Sequence, residues 1–544
     1  MFYGDAPYAE FEYGGFNLDD ALSELDTLDT LLSSPWLPRE WLVRARPRDA
    51  DTSTDPPTLL NVNLSTGGHK TFPTDAEELQ FPAAIITPYA LSFVIASELW
   101  GQAVTDFGEI VIGDADGSLR SLAGEDWVGR DADVYLGPRG GTLTQFAKVA
   151  QLITREIRYT RPELTLLADD FGFVFDKPLQ SNFYTGGGGL EGGAEIADQP
   201  KPLLLGRARQ FTPVTVDGTN FVYQVHDGAF EAVIAVRDEG VALAFNADVA
   251  DITASVPPAG TYNTSLATGY IKLDSGGPTG KITCEADGHN TSVYGYVDDI
   301  ANLIKLLSTT FAGLVDPANI DPATFATLAS RTDVMGEYFT TPVTIREAMD
   351  VFHRSASSWG WLKPSKVLVV GRVTDPDAAS ADFSLSTKDI KNEPWEVDPF
   401  EIPVGRVFVG YRRYDTTMVD TELAAAVAVG TRKDYSQEYR FVKAEDAPTF
   451  VQIPEAAEIT ILTNLDSAVD AQSLADEQLA MRKESRVKAT FAARTGLIAR
   501  GVGDTFELTD DRLPTSPKQF TIFAVDNAAG AASQDDRIVF ICYG

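Results

Sequence analysis

Two cysteines, Cys284 and Cys542, are too few for a disulfide framework, a cysteine-bound zinc or an iron–sulfur centre within a chain of 544 residues. Both sit in apolar, strand-like runs and are expected to be buried free thiols. Histidine is nearly as scarce. His69, His226, His289 and His353 are far apart, and no two share metal-ligand spacing. Basic residues are outnumbered, 44 against 79 acids, for a formal charge of −35. Such a chain repels phosphates, which argues against a groove that grips DNA and against docking on anionic membranes. It leaves room for a channel through which DNA slides without sticking. No run of about 18 apolar residues occurs, so no membrane span is expected. The start, Met1-Phe2-Tyr3-Gly4-Asp5, has neither a basic nor an apolar signal region. The chain is therefore expected to be made in a cytoplasm and to stay soluble. The sequons at Asn63, Asn263 and Asn290 are then chance matches.

What is present is globular. Hydrophobic residues make up 44% and aromatics 10%, enough to bury several cores. The length suits three to five domains of about 100–200 residues each.

Residues 1–35 stand apart. Tyr3, Tyr8, Phe11, Tyr13 and Phe16 punctuate a Gly- and acid-rich stretch. Leu18, Ala21, Leu22, Leu25 and Leu28 follow at roughly helical spacing. This arm has too little apolar mass to fold alone. It packs either on its own body or along a neighbouring subunit, and its five aromatics are the candidate partner-binding residues.

Residues 36–180 read as strands: Val62–Ser65, Gly108–Gly113 and Asp131–Gly137, with Phe146–Ile157 ambiguous between periods 2 and 3.6 and assigned to strand. Asp114-Ala115-Asp116-Gly117 reads as a hairpin turn. Gly186 to Gly189 and Gly192-Gly193 mark a loop or linker. Strands resume at 220–225, 232–236 and 269–273. Residues 296–356 read as helical, with Val297, Ile300, Ala301, Ile304, Leu307 and Phe311 on one face. Asp321-Pro322 reads as an N-cap followed by proline at the first position. Thr344 and Glu347 form a capping box. Beyond Trp359 the chain reads mostly as strand, at 366–370, 406–409 and 520–525. One helix at about 467–490 has Ala468, Ala471, Leu474, Ala475 and Leu479 as its apolar arc. Its acids come first and Arg482, Lys483, Arg486 and Lys488 come last, as the dipole favours.

Several motifs approach known chemistry and fall short. Gly276-Gly277-Pro278-Thr279-Gly280-Lys281 is one residue short of a phosphate loop, and a strand follows instead of a helix; a hairpin turn is expected. Asp114-x-Asp116-Gly117 could begin a calcium loop but lacks the third acid and the distal Glu, so a turn is expected. Glycines at dinucleotide-loop spacing in 186–193 have no βαβ unit around them. His226-Asp227-Gly228 reads as a hairpin turn. With 79 acids, a glycosidase-like carboxylate pair is hard to exclude. Trp359, Trp361 and Trp395 could stack on sugars, with core packing the default.

Five blocks in order carry a further signal. They are Val62–Gly68 with Gly108–Leu119 and Val128–Asp131; Gln199–Gly206 with Asn220–Gly228; Gly260–Tyr262 with Gly269–Thr283; Asn319–Leu328 with Val334–Tyr338 and the capping-box helix; and Arg406–Tyr411, the late helix and Gly503–Leu508. Together they resemble the hub proteins of long-tailed phage tail tips, the family of the baseplate hub and its siphophage relatives.

The resemblance covers most of 60–526 but not the arm. It implies a mainly β fold with α+β parts, in which 36–180 is a first β-barrel-like hub domain. A Gly-rich linker plus a second β region occupy 181–295, and 296–360 is a small helical insert. A C-terminal β-barrel-like hub domain with one helix takes up 361–544. It further implies a homotrimer on the tail axis, joining distal tail and tube proteins and the tape measure protein to a central tail fibre or spike. Two barrels per chain would give a pseudo-sixfold ring. Phage DNA would pass through without specific binding. Assembly in the host bacterial cytoplasm and a place in the virion tail tip follow. No catalytic residue, cofactor or metal ligand is expected, and no lysozyme or peptidase domain is added. The alternatives are a peripheral receptor- or glycan-binding tail protein and an enzyme of the carboxylate-pair type.

Overall fold

The computed structural model describes residues 39–49, 58–72, 75, 78–88, 91–95, 100–107, 109–169, 171–363, 365–372, 374–378, 380–399, 401–494, 500–513, 515–527 and 537–544. The fold is mainly β with a few short helices.

The first sheet has seven strands, in the order Val62–Ser65, Arg39–Ala45, Arg130–Pro138, Ala147–Thr160, Glu163–Asp169, Ile110–Gly113 and Ile85–Thr87. Its strands form by simple alternation. In Arg130–Pro138 the side chains of Ala132, Val134 and Leu136 are buried, while Asp133 and Tyr135 between them are only half-buried. The two ends of the sheet nearly meet. Ser65 N–H donates to the Pro82 carbonyl at 2.9 Å, and Ala84 N–H donates to the Ser65 carbonyl at 3.0 Å. The sheet thus curls into a near-closed barrel around Val43, Val134, Leu152, Ile112 and Leu166. The mixed period of 146–157 has a cause: the register shifts between Thr154 and Glu156, and that bulge breaks the alternation.

A second curled sheet runs Phe383–Ser386, Thr505–Thr509, Lys518–Asn527, Arg537–Tyr543, Val487–Arg494 and Ile390–Pro399. Phe491, Phe506, Phe520 and Phe540 fill it, with ring centroids 5.8–6.0 Å apart. Two strands come from far upstream. Leu91–Val94 pairs with the end of Lys518–Asn527, and Val104–Phe107 pairs with Leu91–Val94. Between them Gly101–Gln102 runs parallel to Trp359-Gly360.

The middle of the chain stacks two sheets. One contains Val241–Ala242, Phe230–Asp238, Ile282–Thr291, Leu203–Phe211 and Gly336–Phe339; the other contains Val214–Asp217, Val222–Gln224, Tyr270–Leu273, Thr261–Ser265 and Ala244–Asp248. Phe211 and Cys284 from the first meet Tyr223 and Ile271 from the second in one core. Gly206 has φ +68, and a Cβ there would lie 2.1 Å from the Met335 carbonyl oxygen. Only glycine permits that approach of the chain to the Gly336–Phe339 strand.

A three-stranded sheet follows. Val404–Tyr411 lies between Arg440–Glu445, antiparallel, and Ala457–Leu462, parallel. Helix Ala468–Arg482 covers its inner face through Leu474 and Ala475 against Val407 and Val409, in a core shared with Ile300–Leu306 and Ile345–Ala356. The expected caps are present. Asp321 accepts from the N–H groups of Ala323 and Thr324, and Thr344 and Glu347 close a capping box.

Several local expectations are corrected. The stretch 296–356 is not wholly helical, because Gly336–Phe339 is a strand pairing with Leu203–Gly206. The late helix ends at Arg482, so Arg486 and Lys488 lie beyond it, and Ala468 is exposed rather than part of the buried arc. None of the three predicted hairpin turns joins paired neighbours. The strands flanking 114–129, 225–229 and 274–281 belong to other pairings, so each segment carries the chain across a sheet or between sheets. Turn residues mark where a chain reverses, whereas strand partners are chosen by packing.

Candidate functional site

A network of charged side chains lies where the middle sheets meet the three-stranded sheet. On strand Leu203–Phe211, alternation puts Arg207 and Arg209 on one face. On the partner strand Ile282–Thr291 it puts Glu285 and Asp287 opposite them. Arg207 forks onto Asp287 at 2.6 and 2.9 Å. Arg209 forks onto Asp466 at 2.8 and 2.8 Å and reaches Glu285 at 2.8 Å. Arg237 reaches the other oxygen of Glu285 at 2.9 Å. Asp466 stands at the entry to helix Ala468–Arg482, so the cluster ties that helix to the middle sheets. Burial pulls the Asp466 carboxyl up, but hydrogen bonds and charge from Arg209, with Arg412 and Arg207, outweigh it and hold it low. Hydrogen bonds to Asp466 likewise raise Arg209.

Beside this cluster, Arg413 Nη1 contacts both oxygens of Glu337 at 2.8 and 2.7 Å and Asp415 Oδ1 at 3.3 Å. Asn464 also hydrogen-bonds Glu337. Burial first, then the Glu337 charge, pushes the Asp415 carboxyl up to about 8, against the pull of Arg413. Glu337, Arg413 and Asp415 line an open cleft of about 570 Å³, whose walls include Phe211, Tyr338, Arg354 and Tyr439. Paired acids in a cleft, one with a raised pKa, fit the expectation for a carboxylate-pair enzyme. The guanidinium speaks against it. Arg413 contacts both carboxyl groups at once, whereas a hydrolytic pair faces its substrate across open space.

The histidines are brought together in ways their spacing hid. Leu204 N–H donates to His226 Nδ1 at 3.0 Å, so Nε2 carries the proton and donates to His289 Nδ1 at 3.0 Å. Burial, with His289 beside it, lowers His226 to about 3. His353 is fully buried between Gln102 and Ser358, and burial lowers it to about 3 as well. Among the described residues, no group of three or more His, Cys, Asp or Glu is placed to hold a metal ion.

Other motifs resolve as structure. Asp238 accepts from Thr279 N–H at 2.6 Å and Gly280 N–H at 2.9 Å, which pins the glycine-rich 276–281 segment where a phosphate loop would have a helix. Both cysteines are buried and free. Trp359 and Trp361 lie in the core of the second barrel, and Trp395 packs against it with Arg512 4.0 Å from the ring centre. Tyr3, Tyr8, Phe11, Tyr13 and Phe16 lie outside the described residues.

The part-buried ion cluster was missed from sequence. Its signal is Arg207-Ala208-Arg209 and Glu285-Ala286-Asp287: charges two apart inside otherwise apolar strands, of opposite sign on the two runs.

No protein-family model and no curated protein sequence matches the chain. Solved structures with a similar course include one titled as the virion of a native gene transfer agent particle, 14% identical, covering 63% of this chain and 84% of that one with a TM-score of 0.42. A tail protein from Neisseria meningitidis MC58 is 11% identical, covering 84% and 90%, with a TM-score of 0.36. The 43 kDa tail protein of prophage MuSo2 from Shewanella oneidensis is 9% identical, covering 93% and 98%, with a TM-score of 0.38.

Proposed function

We propose that the chain is a structural virion protein of a phage tail, acting as the central hub that joins tube to central fibre. The observation that carries this reading is the pair of barrel-like sheets in a single chain. Three copies on the tail axis would present six barrels, which suits the symmetry of a sixfold tube. The strands Leu91–Val94 and Val104–Phe107, joined to the second barrel's sheet, couple the two barrels within one chain, as a joint under tension requires. The ordered blocks of sequence resemblance support the same reading. The charge of −35 suits a lumen wall from which passing DNA is repelled. A cryo-electron map of the intact particle tests this. Three copies around the axis, with acidic residues on the channel wall, are expected. Six copies, or a place on side fibres, would sink the hub, and a neutral or basic lining would sink the lumen argument.

A second reading rests on Glu337 and Asp415 in their cleft. It predicts activity on host glycans that Asp415→Asn or Glu337→Gln abolishes. Activity unchanged in both variants, or no activity in the unaltered chain, removes it.

A further inference from the structure

The Asp114 carboxylate raises a question that neither the fold nor the proposed function answers. Asp114 is only 1% exposed. Its Oδ1 accepts from Leu119 N–H at 2.8 Å, while its Oδ2 is buried and has no hydrogen-bond partner. The residues after it wrap around the carboxylate. Gly117 N–H reaches the Asp114 carbonyl at 3.3 Å, and Gly117 takes φ +80 to make the turn. Asp116, exposed two residues on, keeps one oxygen on Ser118 N–H at 3.0 Å.

An ionised oxygen buried without a donor is costly, on the order of several kcal/mol. A bound cation relieves that cost, because it needs only the lone pair.

We propose that the Asp114–Leu119 loop is a divalent-cation site, suited to calcium. Asp114 Oδ2 is its inner ligand and the free oxygen of Asp116 its rim ligand, with main-chain carbonyls and water completing the shell. Two carboxylates balance the charge of one such ion. Calcium accepts six to eight oxygens in loose geometry, including carbonyls and water, so it does not require the third acid whose absence spoke against a full calcium loop. With so few charged ligands the site belongs to the weak class, with a dissociation constant on the order of 10⁻⁴–10⁻³ M. The bound ion would fasten the segment that carries the chain from strand Ile110–Gly113 to the far side of the first barrel.

The test uses the full-length chain and calcium chloride. The thermal midpoint is followed from EDTA through the millimolar range for the unaltered chain, Asp114→Asn and Asp116→Asn. The unaltered midpoint should rise, and Asp114→Asn should abolish the rise. Asp116→Asn, on the exposed rim, should raise the half-response concentration roughly tenfold with an unchanged midpoint in EDTA. An unaltered chain that does not respond overturns the proposal. So does Asp114→Asn responding like the unaltered chain. If Asp114→Asn does not fold, Asp116→Asn decides alone, and an unshifted half-response overturns the site.

Discussion

Gln102 Nε2 lies 2.9 Å from His353 Nε2, across 251 residues of sequence. An amide nitrogen only donates, so His353 Nε2 accepts, and Nδ1 carries the proton toward Ser358 Oγ at 2.8 Å. One turn back on the same helix, Asp350 Oδ1 accepts from Gln102 N–H at 2.8 Å. Helix Ile345–Ala356 thus grips both the side chain and the backbone of the strand that links the first barrel to the second.

Removing that grip should loosen the link. His353→Ala takes one partner each from the Gln102 side chain and Ser358 Oγ and opens a cavity, at a cost of about 2–4 kcal/mol. Denaturant unfolding followed through the fluorescence of Trp359 and Trp361, which pack in the second barrel, should show an earlier transition. An unchanged midpoint would count against the role given to this histidine.

Acid should destabilise the fold through its histidines. His226 and His353 sit at about 3, below the ordinary 6.5, because burial disfavours the charged ring. The folded-state value is depressed, so their contribution is complete above about pH 6.5 and is lost as pH falls toward 3. The slope should be about 1.4 kcal/mol per pH unit for each ring that must stay neutral. Unfolding free energies measured between pH 7 and 5 should fall, and His353→Gln should flatten the fall. Equal slopes would reject the assignment.

Asp415 should act in the opposite direction. Its folded value, about 8, lies above the ordinary 3.8, so its contribution is complete below about pH 4 and is lost as pH rises toward 8. Asp415→Asn, which keeps the neutral shape, should gain stability relative to the unaltered chain at pH 8 and little at pH 4. A loss at pH 8 would show that the ionised carboxylate is needed by Arg413.

Arg209 should be intolerant even of lysine. Its fork holds both oxygens of Asp466 and a third bond to Glu285, geometry an ammonium does not reproduce. Arg209→Ala leaves two largely buried carboxylates facing each other, at a cost of about 3 kcal/mol or more. Thermal melts of Arg209→Lys and Arg209→Ala, compared with a double change that also neutralises Asp466, measure the coupling.

Gly206→Ala should fail for a different reason. The added methyl collides with the Met335 carbonyl oxygen, and φ +68 disfavours any side chain. Loss of amide protection along Gly336–Phe339 in hydrogen exchange is the expected readout.

Much of this fold was legible where local chemistry decides. Thr344 with Glu347 and Asp321 with Pro322 cap helices because those atoms lie within one turn. Strands such as Arg130–Pro138 showed their alternation because one face is buried and the other is not. What failed depends on partners distant in sequence. Gly336–Phe339 carries the glycine and aromatics of a strand, yet it lies between helical runs, and only Leu203–Gly206 makes it one. His226 and His289 meet because two sheets stack, not because of their spacing. The candidate site was least legible, since Arg207 and Arg209 look like surface charges until Asp287, Glu285 and Asp466 are set against them.

The Leu91–Val94 strand has a consequence for the order of events at the ribosome. It emerges early, but its partner in Lys518–Asn527 emerges almost last. At about 5–20 residues per second, the wait is on the order of tens of seconds. Throughout that time the segment has an unpaired edge open to any other nascent chain. The second barrel therefore cannot close on an incomplete translation product, and chains broken off early should keep that edge open.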